Sequence, residues 1–279
     1  MVTFAAMNEF SLLMSVYKKE QPEYLSICFD SIYKQTILPT EIILVEDGPL
    51  TPQLYRTIEQ EQKRFPCLKR IKLSENQGLG IALNLGLKTC HYDIIARMDT
   101  DDICLPNRFE VQLDYFCSHP DIDVLGAWII EFDHEASNHI GVRKIPEKHT
   151  DIYKFGKKRN PMNHPVVMFR KQAVLAVGGY QPCYLFEDYF LWCRMLINNY
   201  HFHNLQQPLL LFRRSSEMIQ RRGGFKYGIN EILFLLKIKE IGYISTSRLI
   251  INIIQRSIVR ILPNCIRGFI YKYFLRTIP

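Results

Sequence analysis

Eight cysteines are present, yet no two form a Cys-x-x-Cys pair and none sits at zinc-ligand spacing. A disulfide framework and a structural zinc are therefore not what organises this chain. Cys28, Cys67, Cys90, Cys104, Cys117, Cys183, Cys193 and Cys265 read as reduced thiols in the cytosol, most of them core filler. No apolar run reaches the ~18 residues that argue a membrane span. The first residues lack the basic-then-apolar order of a secretory signal. There is no internal repeat and no low-complexity tract. The "GLG" at 78–80 is no dinucleotide fingerprint, because no G-x-G-x-x-G follows the first apolar run.

What is there is ample for a buried core: 279 residues, 47% of them hydrophobic. The net charge of +7 is unevenly placed. From Arg213 onward there are 13 Lys/Arg against 3 Asp/Glu, leaving 22 against 25 before it. A mildly acidic body carries a strongly basic tail. Such a tail favours anionic lipid, anionic substrate or nucleic acid.

The first half alternates apolar runs with helix-like segments. "FSLLMSVY" (10–17), "EIILVED" (41–47), "LKRIKLS" (68–74), "DIIARMD" (93–99) and "DVLGAWIIEF" (123–132) read as strands. Between them, helical spacing follows Pro22, covers 53–64 and 78–89, and runs from Pro106 to about His119. That alternation predicts an α/β fold with a doubly wound, parallel first half. Beyond it lie a polar stretch at 133–163, with "GKKRNPMNHP" as a mobile loop, and a strand at 166–171. A helix at 186–199 and a strand within 202–214 follow, then helices at 225–240 and 246–262 outside the sheet.

In such sheets ligands bind at the carboxyl ends of strands. Two acidic clusters fall there: Glu46-Asp47, and Asp99, Asp101 and Asp102 in "IARMDTDD". Two aspartates one residue apart can share a hard divalent cation such as Mg²⁺ or Mn²⁺; they can equally form a solvated turn. Asp121 and Asp123 have the same spacing but follow a helix end and Pro120, which makes them loop surface. Glu187-Asp188 opens a helix, where carboxylates either cap it or face a ligand. Asn76, Gly78 and Asn84 lie in a Gly-rich stretch that either approaches a ligand or packs a helix. His164 is either structural or in contact with acceptor or phosphate. Trp192 and Arg194 follow the acidic pair as candidate acceptor or phosphate contacts, though the indole either stacks on a sugar or fills the core. His201 and His203 read as a surface strand.

In "RLIINIIQRSIVRIL", Arg248, Asn252, Arg256 and Arg260 form a polar stripe. Ile250, Ile254, Ile258, Ile261 and Leu262 lie on the apolar side. A basic amphipathic helix reads as a membrane-surface segment, or as a helix packed on the domain with its arginines in water.

The ordered set "SVY", "VEDG", "NQGLGIALNLG", "MDTDD…P.R", "HPVVMFR", "GGY", "FEDYFLW" resembles the inverting glycosyltransferases of family 2, with the GT-A fold. The bacterial members that build capsule, exopolysaccharide or lipopolysaccharide are most similar. The likeness covers roughly residues 10–215. It implies a mixed, mainly parallel Rossmann-like sheet flanked by helices, in a domain 1–215 with a nucleotide half (1–132) and an acceptor half (133–215). A basic helical extension (216–279) would follow. It also implies a nucleotide-sugar donor, a UDP-sugar, with Mn²⁺ or Mg²⁺. Ser15, Val16 and Tyr17 would line the nucleotide, Asp47 the uracil, Asp99 the ribose and Asp101 the metal. Asp188, with Glu187 beside it, would be the general base. Many relatives carry a histidine where this chain has Ser215, so Arg213, Arg214, Arg221 or Arg222 would hold phosphate charge instead.

The resulting expectation is a cytoplasmic enzyme, peripheral on the inner face of the cytoplasmic membrane. It would transfer sugar to a glycan or lipid-linked acceptor in surface-polysaccharide synthesis. A catalytically silent nucleotide-sugar-binding subunit is the competing class, against which the intact Asp99, Asp101 and Asp188 speak. Nucleic acid is not an expected partner, given the acidic body and the apolar content of the tail.

Overall fold

The computed structural model describes residues 9–133, 135–214 and 224–261. Ser215, Arg221, Arg222 and Leu262 lie outside them, as do the side chains of Ile258, Arg260 and Ile261. The nucleotide-type half is built from β1 (Ser11–Val16), α1 (Pro22–Tyr33), β2 (Glu41–Glu46), α2 (Pro52–Arg64), β3 (Leu68–Lys72), α3 (Leu79–Thr89) and β4 (Ile94–Arg97). β1 and β2 are short and buried on both faces, as crossover helices require, while β3 forms a partly exposed edge. Proline opens α1 and α2, where its missing N–H costs nothing, and Thr51 caps α2 by accepting the Leu54 N–H at 3.3 Å.

The order then becomes mixed. β5 (Ile103–Cys104), α4 (Arg108–Ser118), β6 (Val124–Phe132), β7 (His139–Arg143), α5 (His149–Gly156), β8 (Met168–Arg170), α6 (Lys171–Ala176), α7 (Glu187–Ile197) and β9 (Phe202–Arg213) follow. One sheet runs β3-β2-β1-β4-β8-β6-β9-β5, with β7 on β6. β3, β2, β1 and β4 pair in parallel, and so do β6 and β9. β8 is wedged antiparallel between β4 and β6. The predicted strand at 166–171 thus shrinks to three residues, preceded by a single 3-10 turn at His164–Val166.

Two expectations about 133–163 are overturned. The stretch contains β7 and α5. The segment 156–165 is not a mobile loop, because its second half is core. Met162, Asn163 and His164 are buried, and the Asn163 amide donates to the carbonyls of Ala127 (2.9 Å) and Arg143 (3.3 Å).

The C-terminal helices α8 (Gly224–Glu240) and α9 (Thr246–Ile261) pack on α7 and α5. Phe234 stacks on Phe186, ring centroids 4.9 Å apart, and lies 4.5 Å from the Tyr189 ring. Of the two readings of the amphipathic stripe, the one that leaves its arginines in water does not survive. Its polar side turns inward: Asn252 is 2% exposed and donates to the Lys157 carbonyl at 2.9 Å. Arg256 donates to Glu231 and to the Lys158 carbonyl, both at 2.7 Å. Ile250 and Ile254 face out.

At the edge where β2 begins, Glu41 ties four segments together. Its buried carboxylate accepts from Ser11 Oγ (2.7 Å), Lys69 Nζ (2.8 Å) and the His91 N–H (2.9 Å). Burial alone would raise its pKa, but the bonds from Lys69, Ser11 and His91 outweigh it and leave it at about 2. The folded value lies below the unfolded one, so the stabilisation is full above the usual carboxylate range and fades as pH falls toward 2. Glu41→Gln will therefore cost about 2 kcal/mol at pH 7 in denaturant melts, with the difference shrinking below pH 4. A pH-independent difference would refute the assignment.

Candidate active site

The carboxyl ends of β1, β2 and β4 share one edge, since Val16 pairs with Glu46 and the Met98 N–H donates to the Leu13 carbonyl. β9 ends on the same edge, with Arg213 opposite Phe132 of β6. The acidic stretch leaves β4 here. Ligand oxygens of Asp99, Asp101 and Asp102 lie within 4.8 Å of one another. Asp99 is paired with Arg97, a strand residue only 1% exposed. Asp102 is wholly buried; its Oδ1 accepts the Arg213 N–H at 2.8 Å, while its Oδ2 has no partner among the described residues. Asp102 thus pins β9 and faces the cluster. Arg213 donates from Nε to the Asp101 carbonyl at 2.9 Å, and its guanidinium lies over the rings of Tyr24 (3.8 Å) and Phe132 (4.6 Å).

A fourth carboxylate joins them that the sequence did not single out. Glu20 accepts from Thr100 Oγ1 at 2.6 Å. Burial raises its pKa first, with a further push from Asp99. Burial likewise raises Asp101, with Asp99 and Glu20 adding to it, and raises Asp102, with Asp101 and Asp99 adding to it. The signal for Glu20 would have been its place just after β1, on the same edge as the aspartates.

The donor set is all oxygen, with an unpartnered buried carboxylate oxygen among like charges. That fits a hard divalent cation and not a soft one.

Asp47 organises the neighbouring wall. Its carboxylate accepts the N–H groups of Gln77 (2.7 Å) and Gly78 (3.0 Å) and the Asn76 amide (2.9 Å). Gly48 makes this possible: its φ is +86°, and a Cβ there would sit 2.6 Å from the Asn76 nitrogen. Asn76, Gly78 and Asp47 are thus one unit, with Gly78 starting α3. Ser15 and Tyr17 are half-buried at the edge, whereas Val16 is core and its carbonyl is taken by the Asp47 N–H.

Glu187 and Asp188 begin α7, after a turn in which Leu185 holds φ of +68°. The Asn160 amide donates to Asp188 Oδ2 at 2.6 Å. Tyr180 senses both acidic groups: its ionisation is opposed by burial first and then by the charges of both Asp188 and Asp99. His164 Nε2 is 2.8 Å from the Tyr180 hydroxyl, and burial with nearby Arg97 keeps that imidazole neutral. His164 is therefore a buried prop of the floor.

For three residues the structure decides against a ligand contact. Trp192 is 0% exposed, packed against His164 and Phe202, and has no face for a sugar. Arg194 is buried and donates to the carbonyls of Val177 and Gly179, so it braces the "GGY" turn and not a phosphate. Asn84 pairs with both backbone groups of Tyr180 and is structural. An exposed aromatic does stand beside the acidic pair: Tyr184, at 63%. Asp121 and Asp123 sit on the opposite edge, where Asp123 accepts the His201 N–H at 2.8 Å.

A mixed α/β sheet with a carboxylate cluster on its strand ends is the architecture of GT-A-like, nucleotide-sugar-using transferases. Residues 11–177 match the family model described as "Glycosyl transferase family 2", and the chain belongs to that family. It is 42% identical over 268 residues to an Escherichia coli UDP-Gal:alpha-D-GlcNAc-diphosphoundecaprenol beta-1,3-galactosyltransferase, covering 96% of this chain and 97% of that one. It is 39% identical over 266 residues to the amylovoran biosynthesis glycosyltransferase AmsE of Erwinia amylovora, covering 94% and 98%. In fold it resembles S. aureus TarS 1–349 in complex with UDP-GlcNAc, with a TM-score of 0.64 at 17% identity over 82% of this chain and 66% of that one. A Pyrobaculum calidifontis mannosyltransferase in complex with GDP-Man and Mn²⁺ aligns with a TM-score of 0.59 at 13% identity, over 82% and 62%.

Burial, followed by the Asp188 charge, pushes the Glu187 carboxyl up to about 7. Its folded pKa exceeds its unfolded one, so stability falls as pH rises from the usual carboxylate range through 7. Glu187→Gln should melt higher than the parent at pH 8 and equally at pH 4; equal melting at both would contradict the buried position.

Proposed function

We propose that this protein is a metal-dependent, inverting glycosyltransferase. It takes a sugar from a UDP-sugar and passes it to a lipid-linked glycan acceptor during cell-surface polysaccharide synthesis, at the inner face of the cytoplasmic membrane. The observation that carries the reading is an all-oxygen triad at the end of β4, with a separate carboxylate pair at the start of α7 whose Asp188 is held by Asn160. The E. coli relative, matched over nearly its whole length, supports UDP-galactose and an N-acetylglucosaminyl diphospholipid as the first pair to try.

The roles divide as follows. Ser15, Tyr17 and the Asp47–Asn76 wall receive the nucleoside, and Asp99 the ribose. Mg²⁺ or Mn²⁺ held by Asp101, with Asp99 and Asp102 beside it, would neutralise the charge that grows on the departing diphosphate. Arg213 adds positive charge on the same edge. Asp188 accepts the proton of the acceptor hydroxyl as its oxygen bonds to the anomeric carbon and the bond to the diphosphate oxygen breaks. Attack from the face opposite the leaving group inverts that carbon. The Asn160 bond to Oδ2 sets the carboxylate's direction. Tyr184 offers its ring to the acceptor sugar.

Incubation with a panel of nucleotide sugars and Mn²⁺, following released nucleoside diphosphate, tests the reading. Asp101→Ala should abolish Mn²⁺-dependent UDP binding by calorimetry. Asp188→Asn should bind UDP normally and lose turnover by about 10³-fold; normal turnover would remove Asp188 from the base role. Asn160→Ala should lower kcat by about tenfold while donor KM stays put, and an unchanged kcat would show that Asp188 needs no such support.

A further inference from the structure

The C-terminal layer is apolar outside as well as inside: Phe234, Leu235, Ile238 and Leu249 are buried on the domain, and further aliphatics stand in the open. α8 exposes Ile229, Leu233 and Leu236 at 43%, 52% and 45%, at one-face helical spacing. α9 exposes Ile250, Ile251 and Ile254 at 53%, 42% and 52%. Its polar positions, Asn252 and Arg256, are spent on the Lys157 and Lys158 carbonyls. A surface helix normally does the reverse, and exposed aliphatics concentrated on adjoining helices mark a contact site.

Charge says what kind of surface covers them. Residues 224–261 carry 6 Lys/Arg against 2 Asp/Glu, and Glu231, one of the two, is already paired with Arg256. Such a layer repels a second copy of itself and attracts an anionic partner. Residues 262–279 continue the same chemistry, with Arg267, Lys272 and Arg276 among aromatic residues and no acidic residue at all. Among the described residues no helix is long and apolar enough to cross a membrane, so the layer is fitted to lie on one.

Position agrees. α8 packs through Phe234 on Phe186 and Tyr189, which flank the acidic pair. α9 holds the carbonyls next to Asn160, the partner of Asp188. A partner lying on this layer therefore sits beside the carboxylate pair.

We propose that the outward aliphatic ridge of α8 and α9 rests in the headgroup layer of an anionic lipid surface and holds the Asp188 side of the site next to it. Only the delivery of a lipid-linked acceptor rests on the functional reading above; the docking does not. Basic side chains draw the layer to the headgroups, and the aliphatics insert. Salt weakens the first effect and spares the second.

The test uses the full chain with sedimented vesicles of phosphatidylcholine, alone or with roughly one third phosphatidylglycerol. The protein is expected to follow the anionic vesicles and to bind less at high salt. Leu233→Ser/Ile250→Ser/Ile254→Ser should weaken that binding at least about tenfold. It should keep the parental melting temperature and the parental release of nucleoside diphosphate with a water-soluble acceptor. Equal sedimentation of the triple variant and the parent overturns the proposal. So does a parent that ignores anionic vesicles, including one that forms dimers which the triple variant breaks. Docking without any nucleotide-sugar turnover defeats the functional reading alone, and turnover without docking defeats this one alone.

Discussion

The structure turns on holding like charges together. At 4.8 Å, a pair of carboxylates repels by on the order of 3 kcal/mol at an effective dielectric of about 20. The cluster contains three such groups, with Glu20 close behind. Two cations answer it from different parts of the chain. Arg97 comes from β4 itself and is buried beneath Asp99. Arg213 comes from the end of β9 and reaches the cluster only because β9 runs parallel to β6 and stops level with it. The bond from the Arg213 N–H to Asp102 then makes that register a condition of the site. Even so, among the described residues two guanidinium groups face four carboxylates, an imbalance that a hard divalent cation would relieve.

Much of the nucleotide half was legible because β1 and β2 are buried on both faces and read as continuous apolar runs, as in "LLMSV" and "IILV". The acidic ends of β2 and β4 were legible for the same reason: a charged residue straight after a buried run must sit at a strand mouth. What periodicity cannot carry is strand order. β8 is three residues long, and nothing in "MFR" announces that it separates β4 from β6. β7 and α5 were hidden because the former is a partly exposed edge strand and the latter has two turns.

The site's residues were legible by place but not always by role. Trp192 and Arg194 follow Glu187-Asp188 in sequence, yet a helix buried almost all round carries them into the core within two turns. Sequence proximity to a reactive pair says little on such a helix. Conversely Asn160 and Tyr180, distant in sequence, converge on the space beside Asp188. The same limit applied to α9, where the spacing left two directions open for the apolar side, onto the domain or outward, and Ile250 and Ile254 take the second. A hydrophobic stripe states that a face has an apolar partner; it does not state whether that partner is the protein's own core.

That direction has a mechanical consequence. The loop between α5 and the 3-10 turn is tied at Gly156 by the Tyr189 hydroxyl (2.6 Å), at Lys157 by Asn252 and at Lys158 by Arg256. Two residues on, Asn160 holds Asp188. Polar bonds were needed there, because the exposed carbonyls of a turn can be held by donors and not by aliphatic side chains. With those donors facing inward beside the buried Leu249, Ile250, Ile251 and Ile254 face outward. Fixing one loop beside a carboxylate and presenting an apolar outer face are then served by two sides of a single helix.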